Sequence, residues 1–142
     1  MPDTDIKTVA EQFVDRVLRA RELEAIEEYC SPQLVCHLPE GAMMGPAGLK
    51  RVLAAGLLAF PDVRVSLDLC IREGCHVACR LTVRATFTGR FGEVMPNGRK
   101  MSLTQLWLFH FEGLTIAEIE VAYDTRRVRE QLGAWLPNHL KH

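Results

Sequence analysis

The stretch MSLTQLWLFHF, residues 101–111, puts Met101, Leu103, Gln105, Trp107, Phe109 and Phe111 in one row and Ser102, Thr104, Leu106, Leu108 and His110 in the other. Period two is strand geometry, and the heavily apolar first row places one face of that strand against a core. The stretch VACRLTVRATF, residues 77–87, repeats the pattern, with Val77, Cys79, Leu81, Val83, Ala85 and Phe87 in the apolar row. Upstream, Val63, Val65, Leu67, Leu69 and Ile71 alternate with Arg64, Ser66, Asp68, Cys70 and Arg72. Glu73-Gly74 and Glu112-Gly113 are tight turns, and a loop holding Pro96-Asn97-Gly98 joins the two longest rows. A last strand is expected over Thr115–Tyr123, completing a set of hairpin-linked antiparallel strands.

N-terminal to this meander the period changes. Ile6, Val9, Ala10, Phe13, Val17 and Leu18 mark an amphipathic helix from Thr4 to about Ala20. A second helix is expected over Glu22–Tyr29, then a short strand over Leu34–Leu38. Gly45-Pro46 opens a third helix whose Leu49, Val52, Leu53, Leu57 and Phe60 share one side, and Pro61-Asp62 ends it. Asp124 is the expected N-cap of a last helix over Thr125–Leu132, stopped by Gly133. Helices first and long strands afterwards predict an α+β fold, with helices closing one face of a curved antiparallel sheet over a pocket. No linker or repeat divides residues 1–142, so one domain is expected.

Composition narrows the function. The chain has 142 residues, 48% of them hydrophobic and 25% charged, with a formal net charge of -1. Binding to nucleic acid or an anionic membrane needs concentrated basic surface, so neither partner is expected. No run approaches the roughly 20 apolar residues of a membrane-spanning helix, and the first residues are acidic, which reads as cytoplasmic. The five cysteines are odd in number and form no C-x-x-C pair, so reduced thiols and no metal site are expected. There is no Gly-rich phosphate loop, and no cofactor is expected.

Five stretches, in order and at these spacings, resemble one family: Gly45-Pro46-Ala47-Gly48-Leu49, Phe60-Pro61-Asp62, Glu73-Gly74-Cys75-His76-Val77, Pro96-Asn97-Gly98-Arg99 and DTRRVREQLG at 124–133. That family is the SnoaL-like polyketide cyclases of the NTF2-like superfamily, and the resemblance covers about residues 4 to 137. It implies a cone-shaped fold with a deep apolar pocket, often dimeric. It also implies cofactor-free chemistry on a polycyclic aromatic, polyketide-derived small molecule, whether cyclisation or a cyclase-like hydroxylation. The superfamily includes binding and assembly modules, isomerases and epoxide hydrolases as well, so a non-catalytic pocket protein is the alternative.

In the aldol-type cyclases an aspartate on the last strand is the acid/base, helped by a histidine and a glutamine on the strand before. By motif, Gln105 keeps the glutamine, Trp107 stands in place of the histidine, and Val121 stands in place of the aspartate. A valine moves no proton. Candidate catalytic groups are therefore Gln105, His37 as the remaining imidazole base, and Asp124, whose N-cap role by itself explains it completely. Trp107, Tyr123, Val121, Leu81 and Phe109 are the expected substrate-binding wall. Leu106, Leu108, Ile116 and Ala122 share the opposite parity, an apolar group expected to pair two copies as a homodimer.

Overall fold

The computed structural model describes residues 5–133. Asp5 caps helix α1 (Ile6–Phe13) by accepting from Lys7 N, and the helix widens into a π-helical stretch at Val14–Arg19. A 3₁₀ turn (Leu23–Ala25) leads into the single turn of α2 (Ile26–Tyr29). Strand β1 (Cys30–Leu38) and β2 (Gly41–Met44) precede helix α3 (Gly45–Ala59). Strands β3 (Arg64–Glu73), β4 (His76–Thr86), β5 (Lys100–Glu112) and β6 (Thr115–Ala122) then run as a meander into α4 (Thr125–Leu132). Gly133, at φ 63°, closes α4 in the left-handed conformation expected of a helix-ending glycine.

The six strands form one curved, unclosed sheet in the order β2-β1-β6-β5-β4-β3. The fold is the α+β cone expected, with three departures. First, β1 begins at Cys30 rather than Leu34, and β2 is an additional short strand that continues straight out of the turn after it. Second, the sheet is not wholly antiparallel: β1 lies parallel to β6, with Cys36 beside Ile119 and His37 beside Glu120. The long excursion through α3 and the meander makes this possible, since a parallel pair cannot be joined by a hairpin.

Third, two register shifts reverse the parity of the residues beyond them. One lies between Leu67 and Leu69, so that Cys70 turns inward while Leu69 and Ile71 are exposed. The other lies between His110 and Phe111 in the β5–β6 ladder, and it places Ile116 in the core at 0% exposure. Ile116 is therefore not part of the outer face. A bulge inserts one unpaired residue, and one residue is enough to exchange the two faces of a strand.

The apolar rows of β4 and β5 are buried as read, from Val77 to Phe87 and from Met101 to Phe111, with only Gln105 half-buried. Phe13 of α1 packs edge-on against Phe109, with ring centroids 5.4 Å apart. A second cluster gathers Phe60, Val83, Phe87, Leu103 and Leu132. The C-terminal end of α3 is held by the loop after β4, where Thr88 N and Gly89 N both donate to Ala59 O. Only glycine fits at 89, since a Cβ there would stand 1.7 Å from Leu58 O. The turn after α3 is fixed twice more. Asp62 Oδ1 accepts from Thr86 N at 2.8 Å, and the Arg21 guanidinium donates to Pro61 O and Val63 O. These contacts hold α3 as a wall over the concave face of the sheet.

Candidate active site

Between α3 and the sheet lies a cavity of about 630 Å³, within the range of pockets that enclose a drug-sized molecule. The single side read for the third helix supplies one wall, through Leu49, Val52, Leu53, Leu57 and Phe60. The sheet supplies the other. Leu81 lies opposite Gln105 and Trp107 opposite Val121, and continuing the second register sets Gln105 opposite Tyr123. Leu81, Gln105, Trp107, Val121 and Tyr123 all line the cavity, as expected.

Polar groups are few in this wall, and their bonding decides what each can do. Trp107 Nε1 donates to Gln105 Oε1 at 2.9 Å. That bond satisfies the indole and fixes which end of the amide points where. Gln105 Nε2 has no partner among the described residues, so a two-proton donor remains for an acceptor in the cavity.

Tyr123 donates its hydroxyl to Glu40 Oε1 at 2.6 Å. Burial, reinforced by the hydrogen bond to Glu40 and its charge, holds the Tyr123 phenol far above its ordinary titration range. The phenol thus keeps its proton and serves as a hydrogen-bond donor at physiological pH. Glu40 lines the cavity from the turn between β1 and β2 and is half-buried. One of its oxygens accepts from the phenol, and the other has no partner among the described residues. Thr125 and Arg129 complete the polar part of the lining.

Three of the expected site residues lie elsewhere. His37 faces the opposite side of the sheet, where its Nε2 meets Glu118 Oε2 at 2.6 Å. Its neighbours Cys36 and Leu38 take the inward positions on β1, so the parity of that strand excludes His37 from the cavity. Asp124 caps α4 through Arg127 N at 3.1 Å and is not part of the lining. Phe109 is fully buried behind the wall, against Phe13 and Trp107. The residue that the sequence reading missed is Glu40. It belongs to no periodic row, and its only signal is position: it follows inward-facing Leu38 by two residues in a Pro39-Glu40-Gly41 turn.

The family model for SnoaL-like polyketide cyclases matches residues 8–132. No curated protein matches the sequence significantly. Solved structures with this fold include AclR of Streptomyces galilaeus, a candidate hydroxylase, at 24% identity and a TM-score of 0.77, covering 89% of this chain and 95% of that one. IdmH of Streptomyces antibioticus, a candidate polyketide cyclase, gives 24% identity and 0.76, covering 90% and 99%. TerC, crystallised with polyporic acid, gives 19% identity and 0.74, covering 92% and 100%. At these identities the likeness is one of fold.

Proposed function

The chain belongs to the SnoaL-like polyketide cyclase family, and we propose that its cavity binds a polycyclic aromatic polyketide ligand and moves a proton on it with Glu40. The observation that carries this reading is the Tyr123–Glu40 hydrogen bond in the cavity wall, across from a free amide donor on Gln105. On the motif match, Val121 and Trp107 stand in place of the aspartate and histidine of the aldol-type cyclases. Glu40 supplies a carboxylate to the same space from a different element.

The chemistry is redox-neutral and needs no cofactor. The free oxygen of Glu40 takes a proton from a carbon between two carbonyls, breaking that C–H bond and leaving an enolate. Gln105 Nε2 donates to the enolate oxygen, where negative charge develops. The carbanion attacks a ketone carbon of the same molecule, a C–C bond closes the ring, and the resulting alkoxide recovers the proton from Glu40. Tyr123 holds the carboxylate in place throughout. Trp107 offers its indole as a flat surface for an aromatic ring, and the aliphatic side of α3 excludes water.

Binding without turnover is the second reading, favoured by an aliphatic Val121 where the motif match expects the acid. Titration of an aromatic hydroxyquinone or polyketide ester, followed by tryptophan fluorescence in the wild type and in Trp107→Phe, tests occupancy of the cavity. Saturable quenching lost in the variant supports either reading; no saturable binding sinks both. Product formation from a bound ester, with and without a reductase, then separates cyclisation from hydroxylation and from binding alone.

The outer face exposes Leu106, Leu108 and Ala122, which supports a homodimer through that face. Light scattering at micromolar concentration should report twice the chain mass, and a monomer there would rule the pairing out. No helix among the described residues is long and apolar enough to cross a membrane.

A further inference from the structure

Three soft donors that the sequence scatters over thirty-six positions, 75 to 110, converge at the end of the β3–β4 hairpin, and none of them lines the cavity. Gly74, at φ 59°, turns the chain so that Cys75 directly precedes β4. Phe111 N donates to Cys75 O at 2.9 Å, which holds that turn against β5. His76 and His110 are a cross-strand pair, with ring centroids 4.7 Å apart. His110 Nδ1 lies 3.1 Å from His76 Nε2 and 3.6 Å from Cys75 Sγ. One donor atom from each residue falls within 4.8 Å of the other two.

The two separations from His110 Nδ1, to His76 Nε2 and to Cys75 Sγ, are close to the edges of a tetrahedral coordination shell. Zn–N bonds of about 2.0–2.1 Å and a Zn–S bond of about 2.3 Å set the edges of the tetrahedron at roughly 3.3 Å between nitrogens and roughly 3.6 Å between nitrogen and sulfur. His76 turns Nε2 toward His110 and Nδ1 toward the thiol, which lies 3.8 Å away. A rotation of this exposed ring brings one nitrogen onto an ion seated against the other two ligands. A thiolate with two imidazoles is a donor set for Zn²⁺ and similar borderline ions, not for Mg²⁺ or Ca²⁺. Backbone pairing has already assembled the three residues, so little ordering is left for the ion to impose.

The geometry points to a transition-metal site formed by Cys75, His76 and His110, taking Zn²⁺ with a fourth position open to water. It lies outside the cavity and joins the β3–β4 turn to β5. The spacing of His and Cys along the chain predicts no metal site, whereas this set is paired across strands.

The full chain, stripped with a chelator and kept reduced with a phosphine, is titrated with Zn²⁺ against a chromophoric chelator and separately with Co²⁺. The expected result is one ion per chain at sub-micromolar affinity, with a thiolate-to-cobalt charge-transfer band. Cys75→Ser should abolish that band, and both it and His110→Gln should weaken Zn²⁺ binding by at least about 100-fold. Far-ultraviolet dichroism checks that each variant keeps its fold; two of the three ligands are exposed and His110 is half-buried. Binding only at millimolar Zn²⁺, affinity unchanged in Cys75→Ser, or Co²⁺ binding without the thiolate band would each overturn the site.

Discussion

Tyr123 and Glu40 sit level with each other at the ends of two parallel strands, and a 2.6 Å hydrogen bond joins them. The parallel pairing runs as far as His37 beside Glu120, and β1 ends at Leu38, just ahead of the turn that holds Glu40. The bond ties the exit of the last strand to the turn after the first.

Burial and the carboxylate neighbour both disfavour a Tyr123 phenolate, so its folded titration point lies above the unfolded one near 10. Stability from this group is complete below about pH 10 and is lost as pH rises beyond it. Thermal melts across the alkaline range should show wild type falling more steeply than Tyr123→Phe. Parallel loss in the two proteins would mean that the phenol is not held neutral by the fold.

Much of this wall was legible in the sequence because period two assigns faces without further information. Gln105, Trp107, Val121 and Leu81 were placed correctly by parity alone, and the helix wall by its 3.6-residue spacing. Parity fails where a bulge intervenes, which is why Ile116 was expected outside and why Leu69 and Ile71 fall out of step with Val65 and Leu67. His37 was attractive as a titratable group, but its parity on β1, opposite to Leu34 and Cys36, already turns it away from the core. Glu40 lies in a turn, where no period operates. The Cys75–His76–His110 cluster was hidden for a related reason, since cross-strand proximity depends on register.

Gln105 has two separable duties, accepting from Trp107 and donating into the cavity. Gln105→Leu leaves the buried indole N–H unpaired and should cost about 1–3 kcal/mol, read as a lower denaturant midpoint. Gln105→Glu keeps an acceptor for the indole and removes the donor. It should weaken binding of a carbonyl ligand by about tenfold or more at neutral pH. Unchanged ligand affinity in Gln105→Glu would remove Gln105 from the site.

Gly56 lies within α3 on the cavity wall, and a Cβ built there meets nothing within 4 Å. Gly56→Ala should therefore stabilise the protein by about 0.5–1 kcal/mol through helix propensity alone. Gly56→Phe should instead fill the cavity and lower affinity for a polycyclic ligand more than tenfold, without unfolding the protein. Calorimetry and ligand titration on the two variants check both outcomes. Full affinity in Gly56→Phe would place the ligand elsewhere.

The central claim, that Glu40 is the base, is tested most directly by proton exchange rather than by turnover of a guessed substrate. An aromatic β-keto ester is bound in deuterated buffer, and deuterium uptake at the carbon between its carbonyls is followed by NMR. Wild type should accelerate the exchange, and Glu40→Gln should lose about 10²–10⁴-fold of that acceleration while its affinity for the ester changes little. Equal acceleration by wild type and Glu40→Gln, at equal occupancy, would contradict the assignment.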